Sequence, residues 1–363
     1  MAKKQKMEGQ SSLSSLSWCS LDEDIIYSIM NRLHYVDQLR FRAVCKNWRE
    51  ANLEGVKYAD KLPWMMALDP GSGSCHLYDP FYRRKHTIKT TITSKGIFIG
   101  ASILASKHGW VLLGKIDQET GHSGLLFFYD PFCDKIIHLP KLHHPYYLRA
   151  TFTKSPVCSD CEIFLLDVDH RKNKIQINTC RVGDPKWSGF FFDRGDFAQS
   201  FQVEYMDGIL YATSSNRTSV GAFNVALQEW KTFPCPPDDE NHCKITESLI
   251  KCEDGNLLLA QFGVNRLPHR DWTIFRLDRS RMKWIQVKRI DNGSLFMGYT
   301  PLFVPLEKAS GLTDTIHWHE CYRPGRYSTR CPKILEIYSW DLIEVNGGIR
   351  EEYPKLWLLP PQP

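Results

Sequence analysis

FFYDPFCDKIIHLP at 127–140 repeats the pattern of HLYDPFYRRKHTI at 76–88, with the two Tyr-Asp-Pro-Phe cores 51 residues apart. Each reads as an apolar strand, an acidic turn residue, a short turn and a second apolar strand, the signature of a hairpin. Weaker copies are IQINTCRVGDPKWSGFF (175–191), AFNVALQEWKTFP (222–234), FRLDRSRMKWIQVKRI (275–290) and IYSWDLIEVNGGIREEYP (337–354). A second phrase precedes several of them: KHGWVLLGK (107–115), MDGILYATS (206–214), EDGNLLLAQ (253–261) and DNGSLFMGY (291–299). Its glycine supplies a positive φ at the turn before an alternating strand. Two hairpins, hence four strands, every ~40–60 residues is the period of a β-propeller blade. The six closing hairpins in this sequence predict six blades.

A ring of blades must close. The run LWLL at 356–359 has no hairpin mate behind it, and the first unit, opening at WMMAL (64–68), is one strand short. The C-terminal strand is therefore expected to complete the first blade, which also removes an exposed sheet edge. Trp110, Trp187, Trp230, Trp272, Trp284, Trp318 and Trp340 are expected mostly in blade cores, where large rings fill the taper between neighbours. Loop residues Tyr146, Tyr147, Arg266, His269, Arg323 and Arg326 are candidates for a recognition surface, being of the types favoured at interface hot spots.

Bulk properties narrow the class. The 363 residues are 42% hydrophobic and 24% charged, a globular composition. A net charge of +5 with scattered positive residues gives no nucleic-acid footprint, and RRK at 83–85 reads as a solvated turn. No apolar run approaches the ~20 residues that span a bilayer. The segment 1–17 has lysines but no apolar core of a signal peptide, and its Ser/Gln/Lys content predicts a disordered tail. Nucleus or cytoplasm is the expected location, and the 12 cysteines are expected to be mostly buried thiols.

Residues 18–52, WCSLDEDIIYSIMNRLHYVDQLRFRAVCKNWREAN, have a different period. Ser20 and Glu23 fit a capping box, and Asp22, Glu23 and Asp24 place negative charge at a helix start. Ile25, Ile26, Ile29, Met30 and Leu33 follow as one helical stripe. Asp37 fits the N-cap of a second helix bearing Leu39, Arg40, Ala43 and Val44, and Lys46 to Ala51 a third with Trp48 as anchor. Leu21, Ile25, Ile29, Leu39, Val44 and Trp48 are more apolar residues than so small a bundle can hide. Each is worth ~1.5–3 kcal/mol when fully buried, so the surplus points to a protein partner.

Trp18, Leu21, the Ile/Leu stripe, Leu39, Arg42, Val44, Cys45, Trp48 and Arg49 resemble the F-box over its whole length. That family usually has Leu-Pro where Leu21-Asp22 stands here; Asp keeps the helix start through the dipole. WKTFP (230–234), KWIQV (283–287), the DGILY and DGNLL strands (207–211, 254–258) and the terminal WLLPP resemble a plant kelch-like domain that follows an F-box, as in the KIB family. The expected architecture is thus α+β multidomain: a tail at 1–17, a three-helix F-box at 18–57 and an all-β propeller at 60–363.

Residue patterns for chemistry are weak. His269-Arg270-Asp271 copies a kinase catalytic-loop tripeptide, but Arg276 stands where a metal-holding Asn belongs, so a turn before a strand at 272–277 is expected. No G-x-S-x-G, H-E-x-x-H or P-loop pattern occurs. On one strand, His317, His319 and Cys321 share a face that suits a metal, with Cys331 as a possible fourth ligand, although an ordinary blade strand is the simpler reading. Cys158-x-x-Cys161 has no second pair at zinc spacing. No catalytic residue, metal or cofactor is therefore expected.

The F-box resemblance implies a non-catalytic adaptor. The helices would dock a Skp-type adaptor, and through it a cullin ubiquitin ligase, while the propeller binds an unknown protein substrate. Leu21, Ile25, Ile29, Leu39, Val44 and Trp48 would carry adaptor binding. Neither nucleic acid nor membrane is an expected partner. Two alternatives stay open: a propeller acting as a small-molecule receptor, and a non-degradative scaffold with a degenerate F-box.

Overall fold

The computed structural model describes residues 18–33, 37–38, 41, 44–51, 62–69, 71–79, 84–88, 96–116, 123–143, 149–236, 242–265, 270–290, 293–305, 315–318 and 355–360. The chain divides into two compact units, residues 1–61 with Pro363, and residues 62–362.

The larger unit is built from the Asp phrase. In the hairpin of β6 (Ser123–Asp130) and β7 (Lys135–His138), the Asp130 carboxylate accepts from the amides of Phe132 (2.8 Å) and Cys133 (3.2 Å). Four residues on, Asp134 adopts φ +51° and turns the chain into β7. The same pair recurs as Asp169 with Asn173, Asn224 with Gln228, and Asp278 with Met282. An Asx side chain that caps its own turn, followed by a left-handed residue, thus fixes hairpin register four times. At Asp169 the phrase sits one hairpin earlier than the segment 175–191 suggested. The opening turns His108-Gly109 and Asp207-Gly208 have positive φ at both positions, the geometry that suits strand twist.

The described strands form six sheets, one per blade. Blade 1 holds β1 (Trp64–Leu68), β2 (Cys75–Asp79) and β3 (Arg84–Ile88). Blade 2 holds β4 (Ser102–Lys107), β5 (Trp110–Ile116), β6 and β7, with β8 (Leu142–His143) also pairing to β6. Blade 3 is β9 (Arg149–Phe152), β10 (Glu162–Asp169), β11 (Lys174–Arg181) and β12 (Ser188–Asp193). Blade 4 is β13 (Ser200–Met206), β14 (Ile209–Ser214), β15 (Ser219–Asn224) and β16 (Glu229–Pro234). Blade 5 is β17 (His242–Lys251), β18 (Leu257–Asn265), β19 (Arg270–Asp278) and β20 (Lys283–Val287). Arg270 and Asp271 of the kinase-like tripeptide are therefore the start of a strand, and His269 lies outside the described residues.

Among the described residues, blade 6 is ordered differently. Its β21 (Gly293–Met297) pairs antiparallel with β22 (Leu302–Pro305) and parallel with β23 (Thr315–Trp318). The closing hairpin expected at 337–354 lies outside the described residues. The last strand, β24 (Lys355–Leu358), pairs antiparallel with β1, Met65 opposite Trp357, and completes blade 1 as expected. Strands β24, β4, β9, β13, β17 and β22 each border one edge of their sheet and touch in that succession, forming the inner ring.

Packing is between blades rather than within them. Phe128 and Leu112 of blade 2 meet Phe152, Ile163 and Leu165 of blade 3. Phe164, Ile175 and Ile177 of blade 3 meet Leu210 and Phe223 of blade 4 on the opposite sheet face. Trp187, Trp230, Trp272 and Trp284 pack against these seams, and Trp110 is buried within one, as expected for them; Trp340 lies outside the described residues. Trp357 is fully buried between blades 1 and 6, and its indole N–H donates to the Met297 carbonyl at 3.0 Å. That contact closes the ring.

Candidate functional site

The smaller unit is built around α1 (Glu23–Met30) and α2 (Lys46–Glu50), after a tight turn at Trp18–Ser20. Asp22, extended at φ −64° and ψ 150°, is the N-cap of α1, and its carbonyl accepts from the amides of Ile25 and Ile26. The capping box expected on Ser20 does not form: Ser20 belongs to the preceding turn, and the N-cap is Asp22, whose side chain makes no cap bond. Glu23 and Asp24 do occupy the first turn. Asp37 is already helical rather than a flanking cap, as are Gln38 and Phe41. The bounds of a middle helix, and Leu39 with it, lie outside the described residues.

The apolar stripe of α1 divides in two. Ile26 and Met30, one turn apart, are fully buried against Phe41 and Ala51, with Leu21, Ile29, Leu33 and Trp48 packed around them. Ile25 is 46% exposed. Trp48 stacks on Phe41 at 4.1 Å, and its indole N–H donates to the Trp18 carbonyl at 2.8 Å. The Asn47 amide reaches the Leu21 carbonyl, so α2 fastens the entry turn from two positions. Gln38 is buried and donates to the Met30 carbonyl at 2.8 Å, which also accepts from the Leu33 amide, so the end of α1 is tied to the middle segment. What remains outward is Trp18 (72% exposed), Val44 (58%), Ile25 and Tyr27.

Of the six candidate docking residues, Ile25 and Val44 face solvent, while Leu21, Ile29 and Trp48 are half-buried in the module's own core. Phe41 and Gln38 were missed. Phe41 sits where the helical stripe is interrupted, and Gln38 acts through a backbone contact that no side-chain pattern encodes.

In the propeller, the inner ring carries polar groups at the blade seams. The Lys107 ammonium on β4 pairs with the buried Glu204 carboxylate on β13 and donates to Thr151 Oγ1 on β9 at 2.7 Å. Gln202 on β13 accepts from the Leu249 amide on β17 at 2.8 Å. These bonds clasp blades 2 to 5 across strands that share no ladder. His317 is fully buried on β23, its ring stacked on Phe296 at 4.4 Å and 3.0 Å from Thr315 Oγ1. It is core, and among the described residues no group of three His, Cys, Asp or Glu is placed to hold a metal. His319, Cys321 and Cys331 lie outside the described residues, as do Tyr146, Tyr147, Arg266, Arg323 and Arg326. Among the described residues no helix is long and apolar enough to cross a membrane.

The KIB1-4 beta-propeller matches residues 77–326, most of the chain. The chain belongs to that family. An F-box matches residues 18–51, so this KIB-type propeller follows an F-box. An F-box/kelch-repeat protein of Arabidopsis thaliana is 25% identical over 364 residues, spanning 95% of each chain. Two further Arabidopsis F-box proteins are 22% and 24% identical; the alignments span 95% and 82% of this chain, and 89% and 75% of theirs.

Proposed function

We propose that this KIB-type protein is the substrate-recognition subunit of a Skp–cullin–F-box ubiquitin ligase. The observation that carries it is the helical module matched as an F-box, which fills its own core and still leaves Trp18, Ile25 and Val44 exposed. Large apolar groups left outward on so small a unit are what a partner surface needs. Ile25 and Val44 contact the adaptor; Leu21, Ile29 and Trp48 hold the face in shape, and Leu39 completes the set. The propeller binds the protein to be modified. The chain performs no chemistry itself: tethering raises the effective concentration of the target's lysines at the conjugating enzyme. The working location is nucleus or cytoplasm.

Co-purification of the full chain with a plant Skp-type adaptor tests this, wild type beside Ile25→Ala/Val44→Ala. Wild type co-elutes and the double variant does not, while its melting temperature is unchanged. Equal co-elution of the two, or none by folded wild type, overturns the assignment.

A further inference from the structure

The connection between β9 and β10 differs from the other opening turns. Blades 2 and 4 turn in two residues, His108-Gly109 and Asp207-Gly208, whereas blade 3 inserts residues 153–161. The loop is pinned at its neck: the Thr153 amide donates to the Glu162 carbonyl, and the Glu162 amide to Thr153 Oγ1, each at 3.0 Å. Two successive turns shape it. The Cys158 amide donates to the Ser155 carbonyl at 3.0 Å, and the Cys161 amide to the Cys158 carbonyl at 3.1 Å.

The second of these turns begins and ends on a cysteine. Such a turn holds its first and fourth Cα atoms within about 7 Å, and disulfides form when Cα atoms are roughly 4.4–6.8 Å apart. The two thiols differ in environment. Cys158 is exposed beside the 61%-exposed Val157 at the loop tip, and Cys161 is fully buried in the seam between blades 2 and 3. The Cys161 thiol donates to the Lys154 carbonyl at 3.0 Å, and burial pushes its pKa up to about 11. The Lys154 ammonium pairs with Asp160 of this turn.

We propose that Cys158 and Cys161 are a site of reversible thiol–disulfide modification, Cys158 as the attacking and Cys161 as the resolving residue. The oxidant is a low-molecular-weight disulfide of the glutathione class. The Cys158 thiolate attacks one glutathione sulfur, forming a mixed disulfide and releasing one glutathione thiolate. Cys161 gives up its proton to that thiolate and attacks Cys158 Sγ; the Cys158–Cys161 bond forms and the second glutathione leaves. Two electrons pass from the cysteine sulfurs to the glutathione disulfide, which departs as one thiol and one thiolate, the latter taking back from water the proton Cys158 gave up on ionising. The turn supplies the proximity that makes the second step intramolecular.

Peptide mapping of the full chain reads this directly. The reduced protein is treated with glutathione disulfide, alkylated and cleaved with trypsin, which releases residues 155–171 as one peptide. Both thiols of that peptide become resistant to alkylation in the wild type and regain it on reduction. Cys161→Ala stops at a glutathione adduct on Cys158. Cys158→Ser, at an exposed position that leaves the core untouched, loses the adduct and leaves Cys161 reduced. A wild type that keeps both thiols alkylatable, or that accumulates the glutathione adduct without closing the ring, overturns the proposal.

Discussion

At the scale of single residues, burial redirects side chains whose identity alone suggests another role. Asp167 lies on β10, on the face where Leu165 packs against blade 2, and is half-buried. Burial pushes its carboxyl up to about 6, even though the Val168 amide donates to it at 2.8 Å; Asp169 adds to the shift and His170 opposes it. A folded pKa above the unfolded ~3.9 means the native state binds the proton more readily. The ionised form therefore costs stability above pH 6, and the cost fades as pH falls toward about 4. Asp167→Asn should raise stability near neutral pH by about 1 kcal/mol, a figure discounted for partial solvent screening, and by nothing near pH 4. Urea denaturation at both pH values checks this; an equal gain at both contradicts it. Ile25 and Trp48 show the same dependence on surroundings. Both were legible as apolar members of a docking set, but only packing separates an exposed Ile25 from a Trp48 stacked on Phe41.

At the scale of elements, hairpins are written locally and their outer faces are not. An Asx residue and a left-handed residue four places later lie within one turn, so they are readable wherever Asp or Asn opens the phrase. In blades 4 and 5 the strand that follows lays an indole against the preceding blade. In blade 4 this is Trp230, which crosses Gly221 on the neighbouring strand and meets Phe197 edge-on at 5.2 Å. A Cβ at Gly221 would run into the six-membered ring of Trp230, with its Cη2 and Cζ2 nearest. Gly221→Ala is expected to cost about 1–3 kcal/mol through overpacking, measured as a lowered denaturation midpoint. An unchanged midpoint would mean the indole is free to move aside. Gly221 gave no signal in the sequence, since its φ is not positive and it sits inside a strand; its reason is the ring above it.

At the scale of the whole molecule, stability rests on joining the ends. β24 supplies the inner strand of blade 1, and Trp357 lies fully buried between blade 1 and blade 6. Trp357→Ala should cost about 3–5 kcal/mol, the range for emptying a buried aromatic site. Truncation after Tyr353 removes the strand and leaves the edge of β1 unpaired, open to aggregation or proteolysis; a soluble truncate that melts cooperatively would count against ring closure. By itself the sequence determined the repeat, the blade count, the F-box and the terminal strand's place. Each follows from periodicity, turn chemistry and an unmatched apolar run, signals carried by residues near one another in the chain. Tertiary structure alone decided the parallel pairing of β21 with β23, the Lys107–Glu204–Thr151 clasp, the burial of His317 and which apolar residues of the F-box stay outward. Those depend on residues distant in sequence meeting across a seam, where neighbouring side chains and not local propensity set the cost of burial.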